Sequence, residues 1–365
     1  MIKMSGFFVM TMTMFNCVGN TQGWIEVLPK EIESVTINID TIKIETPGTI
    51  REFPYRFPSY DYSGQTFAGL DERTNSINVY DVGSLHVLNS INLQNSGPHA
   101  IQGNMIGSVW YHSPDSIFVL QNIPNRIMIV NNKAEIIWER DLSVIFKENK
   151  KLNGLIAYGL LDRVTMYFQK DKVYFAFRQN QINQDFEFPL VGYYDFEKDD
   201  IFTLNIQYPE FYKKSEDVGS YQFPNITWYE NSIIVVYPYS PEIFMYDLKG
   251  NLQLHVQRPA IFKVGDVPER SGSNRQHFLN NPLYRIIQPV QDGQYYILLS
   301  QQKTPTNPET EIYRTTIIYN RDFTKFTTIN KNEPPISFGG EYFYYPIPPE
   351  QSEYQLMERY RIEME

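Results

Sequence analysis

One unit recurs five times along this chain, and it leaves few folds open. An apolar or aromatic strand ends in Asp or Asn, a tight turn follows, and a second strand leaves it. The unit occurs as INVYDVGSLHVLNSINL (77–93), IMIVNNKAEIIWERDL (127–142), VGYYDFEKDDIFTLNI (191–206), IFMYDLKGNLQLHV (243–256) and IIYNRDFTKFTTI (317–329). Asp and Asn suit the first turn position because their side chains accept from nearby backbone N–H groups. Gly83 and Gly250 are expected to supply the positive φ that such hairpins need. Further strand-like runs lie upstream: TFAGLD (66–71) before the first hairpin, SVWYH and SIFVLQ before the second, TMYFQ and KVYFAF before the third. ITWYE with SIIVVYP, and RIIQPV with QYYILLS, precede the last two. Four short strands per unit is the pattern of a propeller blade.

The turn residues Asp81, Asn131, Asp195, Asp247 and Asn320 are unevenly spaced, which insertions in connecting loops explain. The leftover ends supply a sixth unit: SVTINI (34–39) and TIKIE (41–45) at the front, EYFYYPI (341–347) and YQLMERYRIE (354–363) at the back. Pairing both termini in one blade closes the ring and removes exposed edges. The expectation is therefore an all-β fold, a β-propeller of six four-stranded blades closed by its N- and C-terminal strands, with a five- or seven-bladed ring as the alternative. The 27 Tyr and 24 Phe fit many short strands, and the 23 Pro and 20 Gly fit the turns between them.

The first residues speak to compartment. Lys3 precedes an apolar stretch, GFFVMTMTMF (6–15), that is too short to span a bilayer as a helix and fits a secretory signal. Cys17, the chain's one cysteine, follows at once, as at a bacterial lipoprotein cleavage site where the thiol is diacylated. The reading is a lipoprotein-type signal peptide over 1–16, an anchor or linker over 17–30 and a single propeller domain over 31–365. No acid follows Cys17 in VGNTQ (18–22), so an outer-membrane or periplasmic lipoprotein facing the periplasm is expected.

Taken with the aromatic FPYRFPSYDYSG (53–64), the turn-linked blades and the closing FGGEYFYYPIPPE (338–350), the chain resembles the uncharacterised bacterial lipoproteins grouped as domain-of-unknown-function family 4221. That resemblance implies a six-bladed propeller-like fold and an envelope location. It carries over no functional residue.

A net charge of −10 argues against a nucleic-acid surface, which draws on clustered Lys and Arg. No GxSxG, HExxH, GxGxxG, phosphate-loop or EF-hand sequence occurs, and one cysteine cannot build a thiolate zinc cluster. No catalytic residue, metal or cofactor is expected. The acids Asp199 and Asp200 read as solvated turn residues beside Lys198. Of the five histidines, His86 and His255 fall in outer strands, while His99, His112 and His277 could converge on one face of the ring.

Blade-to-blade connections are long, roughly 94–107, 141–159, 207–225, 257–284 and 330–340, and in a propeller they lie at the mouth of the central channel. That face carries the candidate ligand-binding residues: His99, Trp110, His112, Tyr212, Tyr221, Arg270, Arg275 and His277. Aromatic rings beside guanidinium groups suit sugars, peptides or acidic groups. The expected function is a monomeric binding or scaffold propeller for a carbohydrate or protein ligand, tied to the membrane by a lipid anchor. The alternative is a hydrolase or lyase acting at the channel mouth.

Overall fold

The computed structural model describes residues 23–32, 35–45, 55–60, 65–71, 74–94, 96–97, 100–101, 105–153, 155–158, 166–179, 188–213, 223–259, 261–262, 283–303, 312–331, 334–337, 340–347 and 354–364. Its strands form six sheets, each drawn from one stretch of chain except where the N-terminal segment joins in. That segment supplies β1 (Ile25–Val27), β2 (Lys30–Glu31) and β3 (Val35–Glu45). Blade one is β4 (Tyr55–Tyr60), β5 (Thr66–Asp71), β6 (Ser76–Asp81) and β7 (Val87–Asn92). Blade two is β8 (Ile106–Ser113), β9 (Ser116–Asn122), β10 (Asn125–Val130) and β11 (Ile136–Asp141).

A short helix, α1 (Leu142–Glu148), begins the connection to blade three; Asp141 caps it by accepting from the Ser143 N–H. In blade three the inner position is shared by β12 (Leu155–Tyr158) and β13 (Met166–Gln169), both paired to β14 (Lys172–Gln179). Next come β15 (Val191–Asp195) and β16 (Asp200–Thr203). After α2 (Glu210–Lys213), blade four is β17 (Asn225–Tyr229), β18 (Ser232–Val236), β19 (Ile243–Asp247) and β20 (Leu252–Val256). Blade five is β21 (Leu283–Val290), β22 (Tyr295–Lys303), β23 (Ile312–Asn320) and β24 (Lys325–Asn330). Blade six is β25 (Phe343–Pro346), β26 (Tyr354–Met364) and β3 from the N-terminus, with its inner position marked by the bridge between Ile336 and Tyr344.

The expected six-bladed propeller, closed by the two ends of the chain, is thus observed. SVTINI and TIKIE, read as two strands, are one: β3 runs unbroken and antiparallel against β26 from Val35–Met364 to Glu45–Tyr354. Asp40, at the expected break, instead accepts from Arg359 Nε at 2.8 Å, so the step between the two runs is stapled into the ladder. Before reaching blade six, the same segment adds β1 in parallel to β20 of blade four and β2 in parallel to β24 of blade five. The N-terminal segment is therefore a strap across three consecutive blades.

Each blade packs both its faces on neighbours, so middle strands read as continuous apolar runs rather than alternating ones. Phe118 to Gln121 on β9 and Ile233 to Val236 on β18 are buried without interruption, whereas the outer strand β11 alternates half-buried and exposed. The core is accordingly a ring of interfaces. One apolar cluster joins blades one and two, another joins four and five, and two more join blade six to five and to one; the largest runs from blade two through three to four.

All five repeat residues do the predicted work at their turns. Oδ1 accepts backbone N–H groups at Asp81 (Ser84, 2.7 Å), Asn131 (Lys133 and Glu135, both 3.0 Å) and Asp195 (Glu197 and Lys198, both 3.1 Å). The same holds at Asp247 (Lys249 and Asn251, both 2.9 Å) and Asn320 (Lys325, 2.8 Å). Gly250 has the expected positive φ of 84°. Gly83 does not; the left-handed position in that turn falls on Leu85, φ 56°, whose fully buried side chain packs between blades six and one.

Candidate functional site

The face built by the long connections is only partly within the described residues. Cys17, His99, Tyr221, Arg270, Arg275 and His277 all lie outside them. The three remaining sequence candidates are engaged in packing. Trp110 on β8 is buried and stands edge-on to Tyr167 of blade three, centroids 5.1 Å apart. His112, two residues on, sets its ring edge-on to Phe118 and Phe168, and burial holds its pKa below the usual value, which favours the neutral imidazole.

Tyr212 on α2 is completely buried, its ring 5.3 to 6.1 Å from those of Tyr208, Tyr237 and Tyr239. Its hydroxyl accepts from the Tyr239 N–H at 3.2 Å, and Tyr237 donates to the Gln207 carbonyl at 2.7 Å. These aromatics bolt the connection between blades three and four onto blade four. Burial pushes the phenols of Tyr208, Tyr212 and Tyr237 well above their usual range.

A recess opens instead on the opposite face, between blades three and four, with a volume of about 620 Å³. Its inner end is the β13–β14 turn of blade three against the β17–β18 turn of blade four. There Gln169 Nε2 donates to Asn231 Oδ1 at 2.7 Å, and Tyr167 donates to the Glu230 carbonyl at 2.6 Å. Towards the rim, Leu204 at the end of blade three approaches Gly250 in the β19–β20 turn so closely that a Cβ there would lie 3.1 Å from Leu204 Cβ. The cleft is thus pinned at both ends by contacts between two blades.

Its wall is one face of blade three. Tyr174, Tyr193 and Phe202 stand side by side on β14, β15 and β16 because their positions are register partners, Tyr174 opposite Tyr193 and Tyr193 opposite Phe202. Centroids are 5.2 Å apart for the first pair and 5.4 Å for the second, whose planes differ by 21°. Ammonium groups cap the row: Lys172 Nζ sits 4.6 Å from the Tyr193 centroid and Lys198 Nζ 4.8 Å from that of Phe202. Both ammoniums lie 4.0 Å from Asp195 Oδ2, while Asp195 Oδ1 is occupied by its own turn. Burial, reinforced by the charge of Asp195 and by Tyr193, pushes the Tyr174 phenol up to about 12.

Opposite this wall, blade four contributes Asn231, Asp247, Leu248 and Lys249 from its two turns. The arrangement offers rigid rings, fixed charges of both signs and amides that donate and accept. Among the described residues no group of three His, Cys, Asp or Glu could hold a metal ion.

No nucleophile or metal-ligand motif in the sequence points to this cleft. A usable signal was present in VGYYDFEKDDIFTL, where aromatic residues on one side of two adjacent strands flank a turn rich in charge. Asp199 in that turn is more than a solvated acid. It accepts from the Tyr194 hydroxyl and pairs with Arg140 of blade two at 2.8 Å, tying the turn to its other neighbour. Among the described residues no helix is long and apolar enough to cross a membrane.

No family model matches the chain, and no curated protein does. Solved structures do. The chain is similar to a member of domain-of-unknown-function family 4221 from Bacteroides vulgatus, with a TM-score of 0.68 at 11% identity, over 91% of this chain and 99% of that one. It is also similar to a Bacteroides fragilis protein provisionally classed as exported, with a TM-score of 0.60 at 10% identity, over 93% and 99% of the two chains. Likeness at this identity speaks for the fold.

Proposed function

We propose that this chain is a cell-envelope binding or scaffold propeller whose ligand, a carbohydrate or a segment of another protein, occupies the cleft between blades three and four. The observation that carries the reading is the aromatic and ammonium row on β14 to β16, held rigid by strand register, with Tyr174 buried and Tyr193 and Phe202 half-buried along the cleft. Preformed recesses that mix ring surface with a few fixed polar groups are the usual form of a binding site. Export and lipidation at Cys17 complete the proposal, in keeping with the N-terminal sequence and with the exported classification of the Bacteroides fragilis neighbour.

Lys249 lines the cleft from an exposed turn, so Lys249→Trp fills the space without disturbing the core. Thermal-shift screening of the detergent-solubilised chain against glycans and peptides is expected to find a ligand that raises the Tm of the wild type and not of this variant. A ligand that stabilises both equally places the site elsewhere. Metabolic labelling with palmitate, lost in Cys17→Ser, checks the anchor.

A further inference from the structure

Resting on that reading of the cleft, we infer that its ligand is a neutral oligosaccharide, bound through hydroxyl groups that bridge Lys172 and Asp195. Asp195 Oδ2 and the Lys172 ammonium are 4.0 Å apart, beyond the 2.7 to 3.2 Å or so of a hydrogen bond. One hydroxyl oxygen about 2.8 Å from each would span that gap, donating its proton to the carboxylate and accepting from the ammonium. Lys198 stands at the same 4.0 Å on the other side of the carboxylate, so a second hydroxyl has an equivalent place.

A hydroxyl is the group this pair selects, because it donates and accepts at one atom. An anion in the same place would face the buried Asp195 carboxylate, and a cation would face two ammoniums. Balance extends across the cleft: Lys170, Lys172, Lys198 and Lys249 face Asp171, Asp195, Glu197 and Asp247, leaving no field of one sign to draw in a charged polymer. An apolar ligand would strip water from these charges and return nothing.

The rest of the lining suits the other chemistry of a sugar ring. Tyr193 and Phe202 add apolar carbon to the lining, while Gln169 and Asn231 retain donor and acceptor capacity beyond the bond they share.

The test is isothermal titration of the full detergent-solubilised chain with three probe sets: neutral oligosaccharides such as glucans and mannans, uronate- or sulfate-bearing glycans, and a peptide library. Each is run on the wild type, Lys172→Met, Lys198→Met and Lys249→Trp, with circular dichroism to confirm folding. The expected result is a neutral oligosaccharide whose affinity falls about tenfold or more in Lys172→Met, from loss of a charge-assisted hydrogen bond. The same affinity should be abolished in Lys249→Trp and unchanged between about 0.05 and 0.5 M salt, where a charged ligand would weaken. Lys198→Met gives a second reading should Lys172→Met not fold. Binding only of an acidic glycan or a peptide, blocked by Lys249→Trp, overturns the ligand class and leaves the cleft as the site. Neutral glycan binding that ignores all three variants overturns both, as does no binding by any probe.

Discussion

The hydroxyl of Tyr229 in blade four lies directly over Gly293 in blade five, where an added Cβ would sit 2.2 Å from the phenol oxygen. The hydroxyl donates to the Asp292 carbonyl at 2.7 Å, and Gly293 has a φ of 73°. Tyr167 makes the equivalent bond from blade three to Glu230 of blade four. An inner-strand tyrosine reaching the first turn of the next blade is thus a repeated fastening, and glycine is required where the ring passes closest.

Gly293→Ala combines a clash with a disfavoured backbone, and about 2–4 kcal/mol of destabilisation is expected. Tyr229→Phe keeps the packing and loses one hydrogen bond, an expected cost of about 1 kcal/mol. Urea denaturation of both variants checks the order; equal losses would show that the ring contact is not what selects glycine.

Truncation should separate the parts of the N-terminal strap. Removing residues 1–34 deletes β1 and β2, whose pairings cover only the outer edges of blades four and five, and leaves the ring closed by β3. Such a protein is expected to fold with a lowered Tm. Removing 1–45 also takes away the eleven-residue ladder with β26 and exposes apolar groups between blades six and one, such as those around Ile44. Loss of cooperative unfolding is expected there, read by circular dichroism.

His112 gives a pH dependence of known sign. Burial lowers its pKa in the folded state, so below the unfolded value of about 6.5 the unfolded chain binds a proton that the native state resists. Its contribution is fully present above that pH and is lost as the solution is acidified through it. Stability of the wild type should therefore fall more steeply from about pH 7 to 5 than that of His112→Gln, measured by denaturant midpoints at fixed salt; parallel curves would place the imidazole in a more polar setting.

The blades were legible because each hairpin must satisfy its own backbone, and a turn opened by Asp81 or Asp247 meets that demand within four residues. Ring closure was legible from strands left over at both ends. The cleft was not, since Gln169 and Asn231 meet across 62 residues of chain and only the angular step between blades brings them together. Trp110 and Tyr212 carried the composition of binding residues, yet both are consumed by packing between blades and connections. Strand alternation alone does not distinguish an aromatic row that meets the next blade from one that faces an opening.

The strap also fixes an order of events. Residues 25–31 emerge from the ribosome long before β20 and β24, the strands they pair with, and β3 must wait for β26, 319 residues on from Asp40 to Arg359. Blades one to three can form as they are made, whereas β1 waits for blade four, β2 for blade five and β3 for the last strand of the ring. Such long-range closure is slow and leaves strand edges open to other chains meanwhile. The nascent protein therefore depends on being kept apart from its own copies for the whole of its synthesis, and that demand falls on the N-terminal strap before any other part of the ring.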